Sequence, residues 1–173
     1  LTAELTHGIN EQVVAAAAGV ELTHLASLYH DDVMDEADVR RGAPSANAAY
    51  GNSTAILVGD LLFGTASDIV ADLGPDAVKI QAQTFGRLCS GQIRDDRPCP
   101  AGADPVEYYL GVLAGKTGVL IAAAARYGAM FSGGDEQTIE TMREFGERLG
   151  VAFQLADDLI DIESDADETG KTP

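Results

Sequence analysis

The amino-acid sequence predicts an all-α protein built as a single bundle of helices. Apolar residues recur at intervals of three and four along most of the chain. No stretch shows the sustained polar–apolar alternation of a half-buried strand. The chain has 173 residues, 46% hydrophobic and 23% charged, which is close to the average for globular domains and enough for one core. We therefore expect one domain over residues 1–173 without an internal linker.

Six helical segments follow from the periodicity and from local start signals. They are expected at residues 11–30, 48–70, 76–93, from 104 onward, 115–131 and 136–162. Asp104 suits the N-cap of the fourth helix, and Pro105 suits its first turn, where the missing N–H costs nothing. The segment 115–131 is apolar on most sides, so we expect a buried central helix there.

Charge and composition exclude several classes of partner. Acidic residues number 28 and basic residues 11, and the net charge of −17 argues against nucleic acid and against an anionic membrane surface. The longest uninterrupted apolar run is seven residues (119–125), whereas a membrane-spanning helix needs about 20. Two cysteines make no disulfide framework. We expect a cytoplasmic protein without an integral membrane segment.

Two acidic clusters share the spacing Asp-Asp-x-x-Asp, and each follows an apolar helical stretch. Their members are Asp31, Asp32, Asp35, Asp157, Asp158 and Asp161. On a helix this spacing projects all three carboxylates from one face. Six facing carboxylates repel one another unless cations lie between them. Oxygen ligands of this kind suit Mg²⁺, which commonly joins one or two carboxylates to a phosphate. The spacing therefore predicts a site for Mg²⁺ and a polyphosphate.

Basic residues follow the acidic clusters and could neutralise the remaining phosphate charge. They are Arg40, Arg41, Lys116 and Lys171. A single acidic triplet is usually a solvated helix face, but the repeat of the same spacing favours the metal site. Residues 161–170 could suggest a calcium loop, yet they lack the glycine at the sixth position and the closing glutamate of such loops.

Four motifs resemble the trans-isoprenyl diphosphate synthases, also called polyprenyl synthetases. They are residues 28–35 (LYHDDVMD), 40–42 (RRG), 116–117 (KT) and 153–161 (FQLADDLID). The resemblance implies a bundle of antiparallel helices around a deep central cavity, an all-α fold of the isoprenoid-synthase type, in a homodimer. It also implies an Mg²⁺-dependent condensation of an allylic diphosphate with isopentenyl diphosphate, head to tail through a carbocation.

The resemblance implies a role for each candidate residue. Direct Mg²⁺ ligands would be Asp31, Asp35 and Asp157. Supporting carboxylates would be Asp32, Asp158 and Asp161. The allylic diphosphate would be held by Arg40, Lys116 and Lys171. Isopentenyl diphosphate would be bound by Arg41 and His24, with a satisfied core histidine as the less favoured alternative for His24. Oxygen dipoles beside the allylic cation would come from Thr117 and Gln154.

Small residues before the first cluster predict a long product. Short-chain members of the family tend to place a bulky residue four or five positions before the first aspartate, where this chain has Ser27 and Ala26. We therefore expect a long-chain all-trans polyprenyl diphosphate, shortened by Ala26→Phe. The alternatives are a farnesyl or geranylgeranyl diphosphate synthase, a non-catalytic subunit of a heteromeric synthase, and a class I terpene cyclase, whose second metal motif usually differs.

The resemblance also predicts that the domain lacks its N-terminal and C-terminal helices. The family's Gly-Gly-Lys-x-x-Arg segment would precede Leu1, and further helices would follow Pro173. We expect residues 1–173 alone to be weakly active or inactive.

Overall fold

Helices account for most of the computed structural model, which describes residues 1–163 without the side chains of Asp161 and Glu163. The α-helices are α1 (Glu11–Met34), α2 (Ala46–Tyr50), α3 (Asn52–Ala71), α4 (Pro75–Asp95), α5 (Pro105–Leu113), α6 (Val119–Phe131) and α7 (Glu136–Glu163). A 3₁₀ turn covers Ala3–Leu5, a π-helical turn covers Ala114–Gly118, and strands β1 (Val39–Arg40) and β2 (Ala43–Pro44) form a short hairpin. The predicted all-α class is confirmed.

Four elements differ from the sequence-based expectation. The helix expected at 115–131 begins within the π-helical turn, and α6 itself starts at Val119. The helix expected at 48–70 is divided at Gly51, whose φ of +83° ends α2 and begins α3. The helix expected at 11–30 continues to Met34, so it includes Asp31 and Asp32. Two-residue strands form β1 and β2, too short for alternation to reveal them.

The core lies where α1, α3, α4 and α6 meet. Its buried members are Ala16, Val70, Ala77, Ile80, Ala123 and Tyr127. The Tyr127 hydroxyl donates a hydrogen bond of 2.7 Å to the Ala77 carbonyl oxygen, which satisfies the one polar group that the aromatic side chain brings inside. Small residues let the helices approach closely, so α6 packs against α1 on one side and along α7 on the other.

Mean hydropathy gives a different view of membrane compatibility from the count of uninterrupted apolar residues. Two helical stretches are long and apolar enough to cross a bilayer: Asn52–Ala71, with a mean hydropathy of 1.5, and Pro105–Phe131, with 1.4. Length and composition are the only basis for this, and the core helix of a globular protein meets the same criteria. It is therefore weak evidence for a membrane span.

An ion-pair network connects α4 to α7. Arg87 Nη2 donates to Glu147 Oε1 at 2.6 Å, and Arg143 Nη1 donates to Glu147 Oε2 at 2.7 Å. The hydrogen bond from Arg87, followed by that from Arg143, holds the pKa of Glu147 below its ordinary value of 4.5 in spite of partial burial. This network joins α4 to α7, both of which also contact α6.

Replacing Glu147 by Gln should lower the free energy of unfolding by about 1 kcal/mol at neutral pH. Because the pKa of Glu147 is lower in the folded state than in the unfolded chain, its contribution is complete above pH 4.5 and is lost as the pH falls through the folded-state value. Urea unfolding of wild type and Glu147→Gln at neutral pH and at about pH 3 measures this. An equal difference at both pH values would contradict it.

Candidate active site

The first aspartate cluster lies at the C-terminal end of α1. Asp31 and Asp32 occupy its last turn, and Asp35 is the C-cap residue. The last turn contains no basic residue. The C-terminal end of a helix carries partial negative charge, which disfavours carboxylates and favours cations. This end of α1 therefore has a strong electrostatic preference for a bound cation.

Asp32 is distinguished from Asp31 by its burial and its partner. Its side chain is 4% exposed, and its Oδ1 accepts a hydrogen bond of 2.5 Å from Arg40 Nε. Since Arg40 lies on β1, this ion pair fastens the β1–β2 hairpin to the end of α1. Asp32 thus has a structural partner, whereas the side chains of Asp31 and Asp35 accept no hydrogen bond from the described residues.

The β1–β2 hairpin presents Arg41 at its tip. Val39 pairs with Pro44 and Arg40 with Ala43, so Arg41 and Gly42 form a two-residue loop. Their φ angles are +52° and +80°, as in a type I′ turn, which favours Asn-Gly. An arginine in the left-handed region costs about 1 kcal/mol. Arg41 is exposed and makes no ion pair with residues of the described range, so this strained position holds a solvent-facing charge beside Arg40.

The π-helical turn holds Lys116 and Thr117, and α4 packs directly on its backbone. A Cβ on Gly91 would lie 2.5 Å from the Lys116 backbone nitrogen, so only glycine permits this contact. Asp95 lies one turn beyond Gly91 on the same face of α4. As a result, Lys116 Nζ donates a hydrogen bond of 2.7 Å to Asp95 Oδ2. Such π-helical turns are frequent at functional sites.

Lys116 also interacts electrostatically with the first cluster. Burial lowers the pKa of Lys116. The hydrogen bond and charge of Asp95, together with the charges of Asp31 and Asp35, raise it by more than burial lowers it, so the net shift of the pKa is upward. Burial raises the pKa of Asp31; Lys116 opposes this rise and Asp35 adds to it. Asp31, Asp35 and Lys116 therefore form one electrostatic group.

The second cluster lies near the C-terminal end of α7, where another glycine contact sets its position. A Cβ on Gly150 would lie 2.7 Å from the Gly118 Cα, so α7 touches the π-helical turn. One turn later, Gln154 Oε1 accepts a hydrogen bond of 2.8 Å from Thr117 Oγ1. Gln154 Nε2 in turn donates to Asp158 Oδ1 at 2.9 Å. The predicted pair Thr117 and Gln154 is thus in direct contact.

The site includes two further residues, which the sequence analysis did not select. One is Asp95, the partner of Lys116. The other is Tyr109 of α5, whose hydroxyl donates to Asp158 Oδ2; this hydrogen bond, with burial and the negative charge nearby, raises the pKa of Tyr109 to about 12. Tyr109 lies two turns before Lys116, and that helical spacing was the signal available in the sequence.

Other predicted residues are not gathered with this group. His24 lies two turns before Asp31, about 10 Å along the helix axis, and its Nδ1 is 3.9 Å from Glu21 Oε2. Asp157 is half-buried and makes no hydrogen bond with the described side chains. The side chain of Asp161 and the whole of Lys171 lie outside the described residues.

No three His, Cys, Asp or Glu side chains in the described part of the chain converge on one ion position. Mg²⁺ usually takes one or two carboxylates and fills its remaining positions with water and phosphate oxygens. The clusters therefore fit metal ions that are shared with a phosphate-bearing ligand better than ions that are enclosed by protein alone.

A cavity of about 370 Å³ opens beside Asp31 between α1, α3 and α4. Its walls include Ser27 of α1, Ile56 of α3, and Phe85 and Leu88 of α4. Three carboxylates, those of Asp31, Asp60 and Asp96, also line the cavity, although most of its exposed lining is apolar. Such a space suits a hydrocarbon chain, and an anionic head group there would need cations at the carboxylates.

Comparison with known proteins agrees with this description. The family model for polyprenyl synthetase matches residues 1–173. Nonaprenyl diphosphate synthase of Mycobacterium tuberculosis is 56% identical over 161 residues, which cover 93% of this chain and 48% of that protein. The decaprenyl diphosphate synthase structure from Rhodobacter capsulatus has a TM-score of 0.89 and 35% identity over 98% of this chain and 53% of that one.

A third similar structure is a complex with a metal ion and a diphosphate. It is the geranylgeranyl pyrophosphate synthase of Corynebacterium glutamicum complexed with calcium and isoprenyl diphosphate, with a TM-score of 0.82 and 47% identity over 94% of this chain and 50% of that one. With its fold, its paired aspartate clusters and these matches, the chain belongs to the polyprenyl synthetase family. It spans about half the length of the curated relatives that it matches.

The hairpin predicts opposite effects for its two arginines. In the full-length protein, Arg41→Asn should raise the free energy of unfolding by about 0.5 to 1 kcal/mol, because Asn tolerates the left-handed conformation better. Arg40→Asn should lower it by about 1 to 3 kcal/mol, since buried Asp32 loses its partner. Both variants remove one positive charge, so each controls for the other. Urea unfolding measures both, and destabilisation by Arg41→Asn would contradict the strain argument.

Proposed function

We propose that the full-length protein is an Mg²⁺-dependent prenyltransferase that condenses an allylic diphosphate with isopentenyl diphosphate, head to tail, into a long-chain all-trans polyprenyl diphosphate. One observation carries the proposal: beside a cavity with largely apolar lining, Lys116 lies in the electrostatic field of Asp31 and Asp35, and the adjacent Thr117 is hydrogen-bonded through Gln154 to Asp158. Membership in the polyprenyl synthetase family supports it, as does similarity to nonaprenyl and decaprenyl diphosphate synthases.

The donor atoms fit Mg²⁺ and favour particular ligands. Asp32 is occupied by Arg40, and both oxygens of Asp158 accept hydrogen bonds from protein donors, which suits supporting roles. Asp31, Asp35 and Asp157 keep their oxygens available and would hold the metal. Bound Mg²⁺ would neutralise the charge of the diphosphate and so make the diphosphate a better leaving group. Calcium, which accompanies the Corynebacterium glutamicum enzyme, shares the preference of Mg²⁺ for oxygen ligands.

The cations of the site would divide between the two substrates. Arg40 and Lys116 would hold the allylic diphosphate, as would Lys171, which lies outside the described residues. Arg41 would hold isopentenyl diphosphate, which its exposed position at the hairpin tip supports. His24 remains a proposed second contact for that substrate on the strength of the family motif.

The side chains then assist ionisation and condensation. As the C–O bond of the allylic diphosphate breaks, its electron pair leaves with the diphosphate, and Lys116 stabilises the added charge. The oxygen dipoles of Thr117 and Gln154 would face the allylic cation, while the apolar wall excludes water that would otherwise capture it. The double bond of isopentenyl diphosphate attacks the cation, and a proton leaves to the departing diphosphate. No protein nucleophile is needed.

The direct test is a turnover assay on the full-length protein. With Mg²⁺, labelled isopentenyl diphosphate and a short allylic primer, the dephosphorylated products should end in a long acyclic alcohol. Asp31→Ala and Asp157→Ala should each lower turnover by about a hundredfold or more. The control is Asp68→Ala, an exposed aspartate on α3, which should keep wild-type turnover. A cyclic product, or no product from a folded metal-binding protein, would contradict the proposal.

The lining of the cavity indicates which residue should control product length. Ser27 lines the cavity, whereas Ala26 is 0% exposed and is not part of the wall. A phenylalanine at Ala26 would overpack the core, so the geometry favours Ser27 as the position to change. Ser27→Phe should shorten the product, and Ser27→Ala should leave it unchanged. Sizing the dephosphorylated alcohols measures this, and the same length from both variants would contradict it.

We also propose a cytoplasmic homodimer that binds no nucleic acid. Leu57 and Leu61, one turn apart on α3, are 67% and 68% exposed, which supports coverage of this apolar row by a second copy. Sedimentation equilibrium of the full-length protein measures the mass. Cys89 and Cys99 are unpaired, which suits a reducing compartment, and the net charge of −17 is unsuited to nucleic acid.

A further inference from the structure

Tyr109 has no role in the reaction as proposed above, yet its hydroxyl is directed at the second aspartate cluster. It donates a hydrogen bond to Asp158 Oδ2. We propose that Tyr109 is a positioning residue for the condensation: through Asp158 it fixes the amide of Gln154, and with it the Thr117 hydroxyl, in the orientation that stabilises the allylic cation. The inference rests on the proposed prenyltransferase function.

The hydrogen bonds run in one direction because an ionised carboxylate only accepts. With Oδ2 taken by Tyr109, Asp158 offers Oδ1 to the NH₂ group of Gln154 at 2.9 Å. The carbonyl oxygen of Gln154 must then point the other way, where it accepts the Thr117 hydroxyl at 2.8 Å. Thr117 donates its only proton to Gln154, so its oxygen lone pairs remain available for a cation.

The orientation of the amide matters because its two ends have opposite polarity. A side-chain amide turned by 180° has almost the same shape, so packing alone selects the orientation poorly. Turned over, Gln154 would present its NH₂ group toward Thr117 and the site, and a positive dipole end destabilises a developing carbocation. A carboxylate held firmly by Tyr109 prevents this inversion.

The chain connects Tyr109 and Thr117 rigidly. Tyr109 lies on α5, which continues through the π-helical turn that carries Thr117. The Tyr109–Asp158 and Thr117–Gln154 hydrogen bonds therefore join α7 to this helical stretch at two points. Loss of one leaves the other in place, so removal of the tyrosine hydroxyl should relax the orientation of Gln154 without detaching α7.

The adjacent tyrosine provides a matched control. The Tyr108 hydroxyl donates to the Arg94 carbonyl oxygen at 2.7 Å, and its ring lies under the Arg94 guanidinium at 4.7 Å. Tyr108 therefore faces α4 and not Asp158. Tyr108→Phe removes the same atom from the same helix and leaves the proposed chain of hydrogen bonds unchanged.

The experiment compares steady-state kinetics of full-length wild type, Tyr109→Phe and Tyr108→Phe. Tyr109→Phe should lower kcat about tenfold, the effect of one hydrogen bond of about 1.4 kcal/mol. Its KM for both substrates and its half-saturating Mg²⁺ concentration should stay within about twofold of wild type, since substrate and metal contacts are unchanged. Tyr108→Phe should keep wild-type kcat. In a double-mutant cycle, Tyr109→Phe should cost much less when Asp158 is already Asn.

The outcomes separate this inference from the function on which it rests. If wild type makes product and the two phenylalanine variants have equal kcat, the positioning role is overturned and the proposed function stands. A raised KM or Mg²⁺ requirement with unchanged kcat also overturns it, because Tyr109 would then act on binding. Additive losses in the cycle would show that Tyr109 does not act through Asp158. No product from wild type would remove the proposed function and this inference together.

Discussion

Repulsion between carboxylates at the ends of two helices is the constraint on which the rest of the structure depends. The first cluster lies at the C-terminal end of α1, where the helix dipole disfavours carboxylates, and the second lies in the last described turns of α7. Burial raises the pKa of Asp31, and the charge of Asp35 adds to this rise. A protein that keeps such clusters needs cations between them, and an oxygen-rich site that demands cations is suited to binding Mg²⁺ with a polyphosphate.

The chain offsets part of this repulsion with its own donors and leaves the rest. Arg40 pairs with Asp32. The hydroxyl of Tyr109 and the amide of Gln154 both donate hydrogen bonds to Asp158. Those two aspartates are thereby fixed in the framework. The aspartates without such partners in the described residues remain available to metal ions. Among the described side chains of each cluster, hydrogen-bond partners thus distinguish carboxylates that are fixed by protein donors from carboxylates that are not.

Glycine contacts between helices set the distances that this arrangement needs. Gly91 lets α4 touch the backbone of Lys116, and Gly118 and Gly150 let α7 reach the same turn. Side chains one turn further along each helix then meet across the contact. The apolar core of small residues serves the same end, because close helix packing is what brings distant parts of the chain to one site.

Most of the helical fold and the main candidate residues could be predicted from the sequence, because helical periodicity and the Asp-Asp-x-x-Asp spacing are local. The start of α5 follows from Asp104 and Pro105, whose side-chain cap the structure contains. The role of Gly51 as a break between α2 and α3 was not predicted, since a glycine inside a helical pattern is often tolerated.

Contacts between helices could not be predicted from the sequence. Asp95, Tyr109 and the Glu147 network depend on which faces meet, and periodicity defines an apolar face without identifying its partner. The choice between Ala26 and Ser27 depends on the rotation of α1 relative to α4. A sequence shows that both are small, but only the packing shows which one lines the cavity.

The most direct test of the central claim is a calorimetric titration of the full-length protein with Mg²⁺, with and without a non-reactive allylic thiodiphosphate. If the clusters bind metal together with diphosphate, each ligand should tighten the binding of the other by about tenfold or more, and the two factors should be equal. Asp31→Ala should remove most of this coupling. Equal affinity for the analogue with and without Mg²⁺ would contradict the account.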